Sequence, residues 1–323
     1  MAWRTRRLFQ VLVFALVTGT APSFSVAQDW PTRPVTIVVP FPAGGLSDVV
    51  TRQLAKDLSE KFGQQFVVEN RLGGGGGIAS ASVAKEQPDG YTLLMTAIGP
   101  HVLNKMLYKS IPYDPDKEFT PIIMVGDAPQ VLIVSPMLPV NSVVELVEYS
   151  KKNPGKLTIG HVGPGTMGHL ATLLFMAKTG VTGVLVGYRG AAPMMPDLIT
   201  GRVDFALPAM SPQTLSSKSL AVASSQRMDS MPDIPTMREA GFPGLEATTW
   251  QALFGPAGLP EPIVNKLNAA INDYLKLPSS KESLSQVGLR PIGGPPSVIN
   301  ETIAKDKEVW GPLIKQHNLT LDN

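Results

Sequence analysis

The chain has 323 residues, of which 43% are hydrophobic, and it carries 28 Lys and Arg against 26 Asp and Glu. This length and apolar content suffice for a large core divided between two lobes, and the near balance of charge argues against binding to nucleic acid or to an anionic membrane surface. Because there is no cysteine, the sequence offers neither a disulfide framework nor an attachment point for a lipid anchor.

The first 27 residues are typical of a cleaved signal peptide. Three arginines precede an apolar segment at residues 8–17, and small residues at 25–27 suit a signal peptidase. The apolar segment is shorter than the about 20 residues that a membrane-spanning helix needs. We therefore expect cleavage after Ala27 and export to the periplasm, with a retained membrane anchor as the alternative. Cleavage removes three arginines and no acid, which leaves 25 basic against 26 acidic residues.

Residues 35–48, with the sequence VTIVVPFPAGGLSD, predict a buried strand that leads into a helix. Val50, Leu54 and Leu58 then recur every four residues, and Gly63 ends this helical pattern. A helix N-terminus offers unpaired backbone N–H groups and a partial positive charge. The loop is therefore a candidate site for a carboxylate or a phosphate.

The same arrangement returns at residues 157–169, with the sequence LTIGHVGPGTMGH. A strand is predicted to end near Gly160 and to run into a Gly-Pro-Gly-Thr turn, and an apolar stripe then continues to Gly180. We expect these two loops to face each other across a cleft.

The rest of the chain alternates strands and helices, which predicts an α/β fold whose sheets are mainly parallel and flanked by helices. The third strand ends near Thr96, and the residues from there to His101 are a second candidate region because ligands bind beyond the carboxyl ends of such strands. A helix is predicted at 196–200, and a strand at 248–254 crosses back to the first lobe. Lobe I is thus predicted at 28–125 and 247–323, and lobe II at 126–246.

No catalytic or cofactor-binding set emerges from the motifs. The Gly163-x-Gly165-x-x-Gly168 spacing matches a dinucleotide fingerprint but lacks the acidic residue about 20 positions later. The four histidines form no HExxH pair, and there is neither a phosphate loop nor a GxSxG motif. Five glycines at 73–77 indicate either a flexible loop or a ligand contact. We expect no cofactor and no metal.

Several segments together resemble the Bug family, the periplasmic solute receptors of tripartite tricarboxylate transporters. They are WPTRPV at 30–35, VPFPAGG at 39–45, VVENR at 67–71, PDGYTL at 88–93, YRG at 188–190, DIPT at 233–236 and GPAG at 255–258. The resemblance implies a two-lobed type II periplasmic-binding fold that closes around a small carboxylate. It also implies a monomer without enzymatic activity that delivers its ligand to membrane permease subunits.

The candidate loops, the third strand end and the resemblance give one set of predicted ligand-binding residues: Phe41, Ala43, Gly44, Gly45, Leu46, Ser47, Asp48, Thr96, Ala97, His101, His161, Gly163, Gly165, Thr166, Tyr188 and Pro208. The chain also departs from the family pattern. His161 stands where members commonly have serine, Leu207-Pro208 replaces an aromatic-Asp pair, and the helix after His169 lacks a Glu found in many members. These departures favour a plain mono- or dicarboxylate, aromatic ones included, over an amino acid.

Two other functions remain open at this point. The first is an exported α/β enzyme that acts on a carboxylate with His161 or Asp204 as acid or base, although the sequence names no partner for either. The second is a sensor that presents its ligand-bound form to a signalling partner. A sensor and a transport receptor would share the same ligand chemistry.

Overall fold

The computed structural model describes residues 30–321, so the predicted signal peptide lies outside the described residues. The first part of the chain forms β1 (Val35–Val39), α1 (Leu46–Phe62), β2 (Phe66–Asn70), α2 (Gly77–Val83), β3 (Thr92–Ala97), α3 (Asn104–Leu107) and β4 (Phe119–Pro129). The middle part forms β5 (Val131–Val134), α4 (Val143–Lys152), β6 (Leu157–His161), α5 (Met167–Thr179), β7 (Gly183–Gly187), α6 (Ala191–Ile199), β8 (Phe205–Ala206), α7 (Pro212–Leu215) and β9 (Ser219–Val222). The last part forms β10 (Thr248–Pro256), α8 (Glu261–Lys276), α9 (Pro278–Gln286), β11 (Arg290–Pro291) and α10 (Ser297–Gln316). Between residues 30 and 321, no helix is both long enough and apolar enough to cross a bilayer.

These strands form two sheets, and each sheet with its helices makes one lobe. Lobe I has the strand order β11-β4-β10-β3-β1-β2, and lobe II has the order β7-β6-β8-β5-β9. The expectation of mainly parallel sheets was wrong in part. Strands pair in parallel around β1 and β6, but β10 and β5 are antiparallel to both of their neighbours. The reason is that the chain leaves lobe I along β4 and returns along β10 in the opposite direction.

The first strand–loop–helix unit has the structure that its sequence predicts. Val50, Leu54 and Leu58 of α1 are fully buried, so the helix packs on the sheet through the stripe that its sequence predicts. The helix ends at a left-handed Gly63 with φ 66°. This packing fixes the N-terminus of α1 at the carboxyl end of β1.

The second unit repeats this design in lobe II. Leu170 and Leu174 on α5 are buried against the sheet, and Gly180 ends the helix with φ 73°. Thr166 caps its start, since the Thr166 hydroxyl accepts a hydrogen bond from the backbone N–H of His169 at 3.2 Å. Both predicted helices are therefore confirmed, with their N-termini next to the end of a strand.

The helix expected at 196–200 begins earlier, at Ala191. Its N-cap residue is Gly190, and Pro193 lies in its first turn, where a proline is tolerated because first-turn N–H groups have no acceptor within the helix. This difference matters for function, because it places a third helix N-terminus directly after β7 and its short loop.

The chain crosses between the lobes at two adjacent points. In the first crossing, β4 pairs with β10 as far as Pro129 opposite Thr248, and β5 of the other sheet begins at Val131. The backbone N–H of Gln130 donates to the carbonyl of Ala247 at 2.9 Å, which joins the outgoing and returning segments. The lobe limits expected from the sequence, 28–125 with 247–323 and 126–246, stay a prediction.

Candidate functional site

A cleft between the lobes encloses about 690 Å³ outside the protein atoms, including solvent at its mouth. Lobe I and the crossing strands contribute Phe41, Pro42, Gly45, Leu46, Ser47, Ala97, Gly99, Gln130, Thr249 and Gln251. Lobe II contributes Val162, Thr166, Met167, Gly168, Gly190, Ala191, Ala192, Ala209 and Ser211. Most of this lining is small or apolar, so the few polar groups in it decide what the cleft can bind.

Three helix N-termini open into the cleft. They belong to α1, α5 and α6, whose N-cap residues are Gly45, Thr166 and Gly190. Gly45 and Gly190 have no side chain that could cap a helix, and the Thr166 side chain caps only the N–H of His169. First-turn backbone N–H groups from both lobes therefore remain available to a bound group.

The helix ends supply partial positive charge to the cleft. Among the described residues, those lining the cleft include no Lys, Arg, Asp, Glu or His. Each helix N-terminus carries about half a positive charge, and its N–H groups suit an anion such as a carboxylate. The cleft is thus suited to a small anion held by the backbone in apolar surroundings.

Asp48 shapes the first loop from behind. Its carboxylate accepts hydrogen bonds from the Gly44 N–H at 2.9 Å and the Asn70 amide at 2.9 Å, and it pairs with Arg52. Burial by itself would raise the Asp48 pKa, but the hydrogen bonds from Arg52, Gly44 and Asn70 outweigh it and lower that pKa. The Asn70 amide also donates to the carbonyl of Phe41 at 2.8 Å, so this network holds the loop in shape.

Two buried glutamines lie in the lining of the cleft, and we call this pair the amide floor. Gln130 and Gln251 are 1% and 2% exposed, and both line the cleft. Neither amide atom of Gln130 has a hydrogen-bond partner among the described residues, and the same holds for Oε1 of Gln251. Buried polar groups are normally paired, so the amide floor is arranged to bond something inside the cleft.

The lobes are closed in this structure. The Gln213 side chain of lobe II donates to the Gly44 carbonyl of lobe I at 2.9 Å. A Cβ atom at Gly99 would lie 2.8 Å from the Gly165 carbonyl oxygen, and one at Gly190 would lie 2.9 Å from Pro42 Cγ. The two lobes touch on several sides of the cleft through positions that carry no side chain.

The five-glycine segment belongs to this closed contact. A Cβ atom at Gly75 would overlap the carbonyl oxygen of Pro164 in lobe II, and one at Gly76 would overlap Pro100. The segment lines a separate depression on the surface together with Pro164 and Tyr188. Its glycines thus permit a close approach of the lobes, and they do not line the cleft.

The structure brings part of the predicted set together. Phe41, Gly45, Leu46, Ser47, Ala97 and Thr166 line the cleft. Ala43, Gly44, Gly163 and Gly165 lie in the two loops and Asp48 lies in the first turn of α1, and none of them is part of the lining. Ligand contact at all of these positions stays a prediction.

The remaining members of the set lie apart from the cleft lining. Thr96 is fully buried and is the residue before Ala97 in β3, so their side chains point to opposite faces of the sheet. The Tyr188 hydroxyl donates to Asp197 at 2.7 Å, and the carbonyl of Pro208 accepts from the Val131 N–H at 2.9 Å. These contacts are structural ones within lobe II.

His101 also lies outside the lining. Its ring stacks on Phe254 with 4.0 Å between centroids, and Phe119 contacts its edge. Burial lowers the His101 pKa to about 3, so this histidine is neutral at pH 7. Its surroundings are those of a core aromatic residue.

His161 pairs with His169 beside the cleft. The two rings stack with 4.1 Å between centroids, and the Nδ1 atom of each lacks a partner. Burial lowers the pKa of both, that of His169 to about 4, where the neighbouring His161 adds to the effect. Asp204, the other residue considered as an acid or base, accepts the Thr158 N–H at 2.7 Å and does not line the cleft.

Sequence reasoning missed the N-terminus of α6 and the amide floor. The first had a local signal, because Gly190 is followed by two alanines and Pro193, a typical start for a helix. Gln130 and Gln251 had a weaker one, since the first directly precedes an apolar strand and the second is a long polar residue within one. Their meeting at one place depends on the strand pairing, which the sequence does not show.

Known proteins share this architecture. The family model described as "Tripartite tricarboxylate transporter family receptor" matches residues 50–319. The protein BugT of Bordetella pertussis is 35% identical over 318 residues, covering 97% of this chain and 97% of BugT. The solved structure of R. palustris Rpa4515 with adipate is 37% identical with a TM-score of 0.87, covering 91% of this chain and all of that one. MatC from Rhodopseudomonas palustris with bound malate is 32% identical with a TM-score of 0.83, covering 88% of this chain and all of MatC.

These similarities confirm the two-lobed type II periplasmic-binding fold with a cleft between its lobes. The matches extend over nearly the whole described chain, and the family model alone covers well over half of it. The chain therefore belongs to the Bug family, the receptors of tripartite tricarboxylate transporters.

Proposed function

We propose that this protein is a periplasmic receptor that closes its lobes around a small organic carboxylate and delivers it to the membrane permease of a tripartite tricarboxylate transporter. The observation that carries this proposal is the meeting of three helix N-termini in a cleft whose lining has no charged side chain. The bound adipate and malate of the two similar structures are both carboxylates, which supports it.

Binding and closure are coupled in this mechanism. The α1 terminus belongs to lobe I, whereas the α5 and α6 termini belong to lobe II. A carboxylate on α1 alone leaves the other two sets of N–H groups in water. Closure adds their hydrogen bonds and removes the anion from solvent. Helix ends interact more strongly with an anion in a site that excludes water. The ligand therefore stabilises the closed form by its greater affinity for it.

The cleft favours a carboxylate that carries no ammonium group over an amino acid. An ammonium group needs an acidic partner when it is buried, and the described lining residues include no Asp or Glu. The partial positive charges of the helix ends also repel a cation. Phe41, Gly45, Leu46, Ser47, Ala97 and Thr166 are the residues of the predicted set that we place in contact with the ligand.

A thermal-shift screen of residues 28–323 tests the receptor function. The panel contains mono- and dicarboxylates, aromatic carboxylates and amino acids, and each acid is paired with its neutral amide as a control. A ligand at a hundred times its Kd stabilises the folded state by about 2.7 kcal/mol, which raises the Tm by several degrees. We expect shifts with carboxylates and none with the fully amidated controls.

Two other results would contradict this proposal. Tight binding of aspartate or glutamate would refute the preference against amino acids, and equal shifts with acids and amides would refute the role of the helix ends. Delivery to a permease is measured separately, as uptake of the labelled ligand by cells with and without this gene. Binding without any effect on uptake would favour the sensor alternative.

Export has its own test. The intact mass of the protein recovered from the periplasmic fraction should correspond to a chain that begins at Gln28, if cleavage follows Ala27. A full-length mass in the membrane fraction would instead favour the retained anchor.

A further inference from the structure

The amide floor offers hydrogen-bond acceptors, which the helix ends do not. The N-termini of α1, α5 and α6 offer donors only. Gln130 and Gln251 each present an unpartnered acceptor oxygen, and Gln130 also presents an unpartnered amide nitrogen. Because both atoms of the Gln130 amide are unpaired, this site offers a donor and an acceptor whichever way the amide is turned.

The backbone holds both glutamines in place. Gln251 lies inside β10, paired with Ala97 on one side and with Gly126 on the other. The N–H of Gln130 donates to the Ala247 carbonyl at 2.9 Å, and its carbonyl accepts from the Ala223 N–H at 2.8 Å. The two side chains therefore project from fixed positions, which is the arrangement of a built subsite.

A second carboxylate does not satisfy these groups. At neutral pH a carboxylate only accepts hydrogen bonds, so it leaves the acceptor oxygens of Gln130 and Gln251 unpaired. An ammonium group donates hydrogen bonds, but it is repelled by the helix ends and finds no acidic side chain among the described lining residues. A carboxamide can donate to both oxygens, and a hydroxyl can donate to one of them while it accepts from the Gln130 nitrogen.

We infer that the ligand is a carboxylate with a second, uncharged hydrogen-bonding group, a hydroxyl or a carboxamide, which binds to Gln130 and Gln251. This assignment rests on the proposed function, since it takes the carboxylate to lie on the helix ends. It makes the amide floor the determinant of specificity, while the helix ends bind the feature that all such acids share.

Calorimetry with two matched ligand series tests this inference. The four-carbon series is butyrate, succinate, 4-hydroxybutyrate and succinamate, and the six-carbon series is hexanoate, adipate, 6-hydroxyhexanoate and adipamate. A buried amide left without its partner weakens binding by about ten-fold or more. In at least one series, the hydroxyl- or amide-ended acid should bind at least about ten-fold more tightly than both the methyl-ended and the carboxylate-ended acid.

The variants Gln251→Met and Gln130→Met locate the effect. Either one should remove the preference, because the affinity for the hydroxyl- or amide-ended acid falls and the affinity for the methyl-ended acid rises once an apolar side chain replaces an amide that it leaves unpaired. Gln286→Met, an exposed position in α9, is the control that should keep the preference. Circular dichroism establishes that each variant is folded, and the preference of the parent protein is informative without them.

The outcomes separate this inference from the proposed function. If carboxylates bind but the methyl- or carboxylate-ended acids are equal to or better than the others in both series, the assignment is overturned and the receptor function stands. A preference that survives both glutamine substitutions also overturns it. If none of the acids binds, the proposed function falls and takes this assignment with it.

Discussion

Closure of the lobes depends on positions where no side chain can be accommodated, and Gly99 is the best one to perturb. It lies in the π-helical turn Gly99–Leu103, so its backbone accepts alanine without strain. A Cβ atom there would lie 2.8 Å from the Gly165 carbonyl oxygen and 3.3 Å from Thr166 Cα, both in lobe II. Gly99→Ala should therefore weaken ligand binding by hindering closure.

The size of the effect follows from this overlap. Forcing one extra carbon into a well-packed contact costs about 1–3 kcal/mol, which corresponds to a rise in Kd of about 5- to 150-fold. In the open form the lobes separate, so the same carbon meets no obstacle. Alanine in a helical turn is also favoured over glycine by up to about 1 kcal/mol. The Tm of the ligand-free variant should thus not fall.

The matched control is Gly311→Ala. Gly311 lies inside α10, and a Cβ atom there would meet nothing within 4 Å. Calorimetry with the best ligand gives the Kd of both variants, and differential scanning calorimetry gives the Tm without ligand. We expect a raised Kd for Gly99→Ala alone. An unchanged Kd for Gly99→Ala would refute the coupling of binding to closure, and a lowered Tm without ligand would mean that the free protein is already closed.

Three further predictions concern charge. Gly45→Asp should abolish carboxylate binding because its charge repels the anion, and the fold should stay intact because aspartate is a favoured N-cap. Gly45→Asn has the same shape without the charge and should bind the carboxylate far better. Equal losses of affinity in calorimetry would point to steric blockage. His101 has its pKa lowered to about 3 by burial, so its contribution to stability is lost as the pH falls from 6.5 towards 3. His101→Phe keeps the stacking on Phe254. Between pH 7 and pH 4 its free energy of unfolding, measured by urea denaturation, should therefore fall by about 3 kcal/mol less than that of the parent. Burial raises the Asp306 pKa from its ordinary value of 3.8 to about 6. The protonated form therefore contributes stability below pH 3.8, and this stability is lost as the pH rises through 6. Asp306→Asn keeps an acceptor for the Trp250 N–H and should gain stability over the parent from pH 4 to pH 8; parallel pH profiles would contradict this.

Local patterns predicted the parts of this fold that depend on neighbours in the sequence. The stripe of Val50, Leu54 and Leu58 fixes α1 because a helix repeats every 3.6 residues, and Gly63 and Gly180 end their helices through a left-handed conformation. These same patterns located two of the three helix N-termini of the cleft.

The parts that were missed depend on distant pairing. β4 extends to Pro129 because β10 lies beside it, and nothing in the local sequence shows that partner. The contact of His161 with His169 arises where a strand and the first turn of α5 meet, so their separation in sequence did not reveal it. Gln130 is buried because segments more than ninety residues away, at Ala223 and Ala247, fold around it.

The two crossings between the lobes also determine how the molecule moves. The hydrogen bonds among Gln130, Ala223 and Ala247 hold both connecting segments side by side, so the two segments form a single hinge. Rotation about a hinge displaces distant points most and nearby points least. The parts of lobe II farthest from this hinge therefore move most on closure, while Gln130 moves least. A ligand thus contacts groups near the hinge that move little, and the more distant parts of lobe II then close over it.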